Sequence, residues 1–236
     1  MVSSFSDWRQ EWEKLGKVNG SNISDPDRRI RELIALWQSR IPDPWRRSET
    51  DIPKRLLLKE RYTRGNRQRR RRGEHEIEYE ILVEYFDRAK CLGRPLLDAV
   101  NAYPLVKDSA GGRNDDIEPD LLLLAGPVES ALLLVGDVKK TDGNPWSALV
   151  QNLRQLRLFT ANSVCTSLFS QRGMKVNVVQ ICGAVIAPRA FYGSRGQKAN
   201  SLHHARKLSE AMLRELNVKT ELLVWNADIA ELERYI

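Results

Sequence analysis

The sequence predicts an α/β fold: a mixed central sheet flanked by helices, preceded by an N-terminal helical extension. Two observations carry this. The runs "LLLLAG" and "ALLLVG" are almost continuously apolar, as expected of central strands covered on both faces. They are joined by a short turn-like link, and helix-patterned and strand-patterned segments then alternate to the end of the chain, which layers helices over a sheet. The 236 residues suffice for one core domain plus a helical appendage, and the division falls between residues 1–73 and 74–236.

The elements follow in order. Trp8, Trp12 and Leu15 share one face of a first short helix. A second helix starts with Asp25 as N-cap and Pro26 in its first turn, carries Ile30, Leu33, Ile34 and Trp37 as its stripe, and is closed by Pro42. Residues 42–73 read as an irregular basic connector. "GEHEIEYEILVEYFDRAK" reads as one long helix, with Ile77, Ile81, Tyr85 and Ala89 at steps of four, stopped by Gly93 and Pro95. "AYPLVKD" is a weak strand candidate. "EPDLLLLAG" and "ALLLVGDVKK" form a hairpin through "GPVES". "NPWSALVQNLRQLRLFTANSV" is a helix, "KVNVVQICGAVIAP" a strand, "SLHHARKLSEAMLRELNV" a helix and "TELLVWNA" a strand. "DIAELERYI" reads as a short terminal helix.

Composition bounds the function. Apolar residues make up 42% and charged residues 29%, an ordinary globular balance. No apolar run is long enough to cross a bilayer, and the first residues lack the pattern of a secretory signal. Cys91, Cys165 and Cys182 are widely spaced, which argues against a disulfide framework or a structural zinc site and fits a reducing, cytoplasmic setting. The net charge of +7 favours a polyanionic partner. Most of it lies in "RYTRGNRQRRRRG", and "NDDIEPD" is the acidic counterweight.

The acids are the more informative feature. Asp137 and Lys139 are two apart on a strand and share a face. With the hairpin turn centred between Val128 and Glu129, Asp120 falls opposite Asp137, with Cβ atoms about 4.5–5.5 Å apart. Carboxylates that close repel unless a cation lies between them, and a hard divalent ion such as Mg²⁺ accepts oxygen ligands. A metal, a water and a lysine at one strand end suit phosphodiester hydrolysis. Asp116 or Glu118 could replace Asp120, and the pair could equally be strand-end residues held in ion pairs with Lys139 or Lys140.

"EPD" at 118–120 followed by "GDVKK" at 136–140 resembles the PD-(D/E)XK nuclease superfamily, and Asp137-Val138-Lys139 is the sole [DE]-x-K in the chain. The resemblance covers roughly residues 74–188 and implies a restriction-endonuclease-like core of the RecB-like type. It implies Mg²⁺ or Mn²⁺ held by Asp120, Asp137 and the carbonyl of Val138, with Lys139 assisting the attacking water. An acid of the first core helix often joins such a site. Glu80 is the expected one, with Glu76 and Glu84 as rivals. "QLRLF", Gln155 to Phe159, resembles the Q-x-x-Y element of the second core helix, with Phe in place of Tyr, and Gln151 could share the role of Gln155. The activity implied is metal-dependent cleavage of nucleic acid, with DNA the expected substrate.

Two basic segments are candidate phosphate contacts: Arg69, Arg70, Arg71 and Arg72 in the connector, and Arg195 and Lys198 in "RAFYGSRGQKAN". Each could equally be a solvated loop. Trp8, Trp12 and Trp37 read as the core of a helical module, which could also dock a partner or a second copy of the chain. A nucleic-acid-binding or assembly subunit without catalysis is the competing function.

Overall fold

The computed structural model describes residues 4–18, 23–42, 74–101, 105, 117–140, 143–161, 175–193 and 197–235. Two N-terminal helices, α1 (Phe5–Gly16) and α2 (Pro26–Gln38), precede the sheet. Helix α3 (Glu74–Tyr79) continues into a π-helical turn, Glu80–Glu84. The strands are β1 (Lys90–Cys91), β2 (Arg94–Asn101), β3 (Leu121–Ala125), β4 (Ala131–Val138), β5 (Val178–Ala187), β6 (Thr220–Asn226) and β7 (Glu231–Arg234). Helix α4 (Pro145–Ala161) lies between β4 and β5. The short α5 (Arg189–Tyr192) and the long α6 (Gln197–Leu216) lie between β5 and β6.

The strands form a closed mixed barrel in the order β1 to β7, which corrects the expected open restriction-endonuclease-like sheet. Pairing is antiparallel from β1 to β4, parallel from β4 through β5 to β6, and antiparallel from β6 to β7. The ring closes where β1 meets β7 in parallel, Lys90 against Glu231 and Cys91 against Leu232. Both closing strands come from segments that the helical pattern claimed. The helix expected over residues 73–90 ends early: after the π-turn, Tyr85 leaves helical geometry with φ −117 and ψ 2. Leu92 and Gly93, both with positive φ, then turn β1 into β2. The "DIAELERYI" helix is likewise replaced. Ala230 takes φ 52, and the residues after it run extended, with Leu232 fully buried between half-buried glutamates. Pairing with β6 and β1 outweighs the intrinsic helix preference of Ala, Glu and Leu, which is at most about 0.7 kcal/mol per residue. The expected strand at residues 102–108 lies largely outside the described residues; the strand formed is β2, just before it.

Every residue of β4 is buried, because both faces of the sheet are covered. Leu122, Leu124, Leu133 and Val135 pack with α1, α2, α4 and α6. Leu121, Leu123, Leu132, Leu134 and Val138 pack on the other face, with Ile81 and Leu82 of the π-turn. The N-terminal helices share the first of these clusters, and Trp8 and Trp12 are buried in it. The C-terminal carbonyls of α1, which no helix can satisfy internally, are taken by α4. Trp146 Nε1 donates to Leu15 O at 2.9 Å, and Ser147 Oγ to Gly16 O at 2.7 Å.

Leu232→Ala should cost about 2–5 kcal/mol, the range for emptying a buried leucine site. Denaturant unfolding measures it. Hydrogen exchange should show the amides of Lys90 and Leu92, which donate to Ala230 O and Leu232 O across the closure, losing protection first.

Candidate functional site

The site is built where β3 begins and β4 ends. The hairpin register pairs Leu121 with Gly136, which brings Asp120 beside Asp137 as the turn position predicts. Both carboxylates belong to the sheet face covered by α4. Asp120 is in phase with Leu122 and Leu124, and Asp137 with Leu133 and Val135. Asp120 Oδ2 accepts the backbone N–H of Val138 at 2.7 Å, so its position depends on the end of the neighbouring strand.

Asp137 has no solvent exposure. Lys139 Nζ lies 2.9 Å from its Oδ2. That oxygen is buried and accepts no well-aligned hydrogen bond, so the contact is ionic in character. Gln155 Nε2 lies 3.4 Å from Oδ1 and donates at 2.9 Å to Glu118 O, tying α4 to both acids' strands. Lys139 N donates to Ile186 O at 2.8 Å, which extends the β4–β5 ladder one residue and fixes the lysine backbone. Burial pushes the Asp137 carboxyl up to about 7. The Lys139 ammonium opposes this, and the neighbouring Asp120 charge adds to it.

The other expected site residues fare differently. Glu80 is not gathered with the two aspartates: among the described residues, no group of three or more His, Cys, Asp or Glu side chains is arranged to hold a metal. The reason is the parity of the sheet. Asp137 faces the α4 side, whereas the turn carrying Glu80 buries Ile81 and Leu82 on the opposite side. There Glu80 Oε2 accepts Trp225 Nε1 at 2.6 Å. Burial raises its pKa, the Trp225 hydrogen bond opposes this, and the charges of Glu76 and Glu84 add to it. Gln151 is exposed and lines a cleft against α1, away from Gln155. Phe159 is buried in the helix-side core, where a ring without a hydroxyl fits. Asp116, Arg69, Arg70, Arg71, Arg72 and Arg195 lie outside the described residues; Lys198 is described only as part of the first turn of α6.

Two buried polar residues of α4 were not anticipated. Asn152 Nδ2 donates to Val135 O at 2.8 Å, and a Cβ on Gly183 would collide with its Oδ1. An asparagine inside an apolar helical stripe, opposite a strand glycine, was the available signal. Arg154 Nη1 donates to Glu13 Oε1 at 3.1 Å, and Glu13 also accepts Arg9 Nε at 2.9 Å. Burial raises the Glu13 pKa, but the two arginines outweigh it and hold the carboxyl below its ordinary range. Arg154 lies within the field of Asp137, so the N-terminal helix is linked electrostatically to the site. Glu13, Lys17, Gln151 and Arg154 are the charged and amide groups lining a separate cleft of ≈ 460 Å³ between α1 and α4.

A divalent ion placed here would find two carboxylates on one face, one of them already paired with Lys139, and the Val138 carbonyl between Asp137 and Lys139. No protein-family model, curated protein or solved structure matches this chain. No described helix is long and apolar enough to cross a membrane.

The Asp137 carboxyl has a folded pKa raised above its unfolded value. The native state therefore holds a proton that the unfolded chain has released. The stability from this group is full below the ordinary aspartate pKa of 3.8 and is lost as pH rises towards about 7. Asp137→Asn removes the dependence. Urea unfolding across that range should show the variant gaining on the wild type as pH rises, with the gain levelling off above neutrality.

Proposed function

We propose that this protein is a metal-dependent nuclease that hydrolyses phosphodiester bonds, with DNA as its substrate. The observation that carries the reading is the meeting of Asp120, Asp137 and Lys139 at one strand end, with Gln155 bridging from α4. The resemblance of "EPD" and "GDVKK" to PD-(D/E)XK motifs supports it further; the open-sheet fold that usually accompanies those motifs forms no part of it.

In this reading Asp120 and Asp137 hold the ion through carboxylate oxygens, and the Val138 carbonyl adds a third oxygen. A Mg²⁺ or Mn²⁺ ion held there would supply the Lewis acidity that activates water and offsets phosphate charge. Lys139 orients the attacking water and steadies charge that develops on the phosphate. Gln155 keeps the two strand ends at a fixed spacing and limits rotation of the Asp137 carboxylate. The arginines of residues 61–72 and the net charge of +7 suit contact with a phosphate backbone.

A second reading is favoured by two observations. Among the described residues only two acids converge, and Phe159 stands where the family motif has tyrosine. Both are compatible with a nucleic-acid-binding or assembly subunit that cleaves nothing.

Incubation with circular and linear, single- and double-stranded DNA, in Mg²⁺, Mn²⁺ or EDTA, separates the two. The nuclease reading expects ion-dependent cleavage that Asp120→Asn and Asp137→Asn abolish. Lys139→Ala should reduce it by at least about a hundredfold, the scale for losing one stabilising donor. Salt-sensitive DNA binding without cleavage under every condition would establish the subunit instead.

A further inference from the structure

We propose that the Lys139–Asp137 ion pair is a latch: the ammonium holds the cation position on Asp137 until a divalent ion displaces it, and Lys139 is free to meet a phosphate only after that ion arrives. The inference rests on the nuclease reading and adds how the site is regulated.

The argument is one of charge and space. Asp137 is fully buried, and a buried carboxylate requires a counter-charge. In the protein as folded, Lys139 supplies it at 2.9 Å from Oδ2. Gln155 reaches the other oxygen weakly, at 3.4 Å, and brings no charge. A dication entering between Asp120 and Asp137 would stand within a few ångströms of that ammonium, so the two cations repel in a poorly screened setting. They compete for one carboxylate, and occupancy by one disfavours the other.

The lysine is the more accessible member of the pair. Its backbone is fixed through the Lys139 N to Ile186 O hydrogen bond, but its side chain retains 18% exposure, whereas Asp137 has none. The carboxylate therefore stays and the ammonium swings towards solvent, the side from which a nucleic-acid backbone approaches. The same group that guards the empty site becomes the group that contacts substrate in the loaded one. Lys140, the next residue, is exposed and provides an internal reference.

Limited acetylation of the full chain, read by peptide mass spectrometry with and without Mn²⁺, tests this, with calorimetry reporting Mn²⁺ binding in parallel. Lys139 should label slowly without metal and about tenfold faster at saturation, a coupling of ordinary size, while Lys140 labels equally in both. In Asp137→Asn, Lys139 should label fast throughout, and calorimetric Mn²⁺ binding should be lost. If Mn²⁺ binds the wild type through Asp137 and Lys139 labelling does not change, the latch is overturned and the nuclease reading stands. Mn²⁺ that binds Asp137→Asn as well as wild type sits elsewhere and also overturns the latch. If the wild type neither binds Mn²⁺ nor cleaves DNA, both fall together.

Discussion

A carboxylate with no solvent exposure at the end of the central strand is the constraint around which the rest is arranged. Asp137 terminates β4, whose every residue is buried, so its charge has no water to lean on. An isolated ionised carboxylate in such a place costs several kcal/mol even after the surroundings relax. Two features offset that cost, and each comes from a different element. β4 itself continues into Lys139, and α4 sends Gln155. The β3–β4 register sets Asp120 alongside, which works against them by like-charge repulsion. A fold selected for stability alone would place an apolar residue here. Two acids and a lysine at this position are what the proposed nuclease site would require.

The scaffold fixes this group from both sides. The helix-side core joins α4 to β4 and β5 and packs α1 and α2 against them, so the N-terminal helices belong to the packing that supports the site. The polar links follow the same route. Arg157 of α4 donates to Trp37 O at 2.8 Å, Arg154 reaches Glu13, and Trp146 closes the end of α1. A rotation of α4 that moved Gln155 would have to break these bonds. The buried guanidinium of Arg154 also adds positive potential near Asp137, which complements Lys139 without touching the carboxylate.

How much of this was legible in the sequence depended on the range of the interaction. The two N-terminal helices, the hairpin and its register, α4, β5, α6 and β6 follow from periodicity, turn residues and caps. Those signals are local, and the structure agrees with them: Asp25 accepts Arg28 N as the N-cap, and Leu121 pairs with Gly136. The ring closure was not legible. β1 is two residues long and β7 four, and both exist only because they find each other and β6 across the chain. No pattern within "FDRAKC" or "AELERY" outweighs their helical appearance. Glu80 failed for a related reason. Helical spacing says which residues share a face, but not which face of the sheet that helix will cover. Asp137 and Lys139 do meet, because strand alternation relates them directly, with no tertiary step between.

The contrast between Glu80 and Asp137 carries the argument one step further. Both acids are raised by burial, yet they are answered by different chemistry. Glu80 meets a neutral donor, the indole N–H of Trp225, at 2.6 Å, and the Tyr85 ring lies 5.9 Å from the indole. Such a partner satisfies one oxygen and has no second position to occupy. Asp137 meets a cation on a four-carbon stem. A neutral clamp stabilises one geometry, whereas a charged, flexible partner can be exchanged for another charge. The difference assigns Glu80 to holding the π-turn against β6, and in the proposed latch it is Asp137 whose partner would change when a divalent ion is taken up or released.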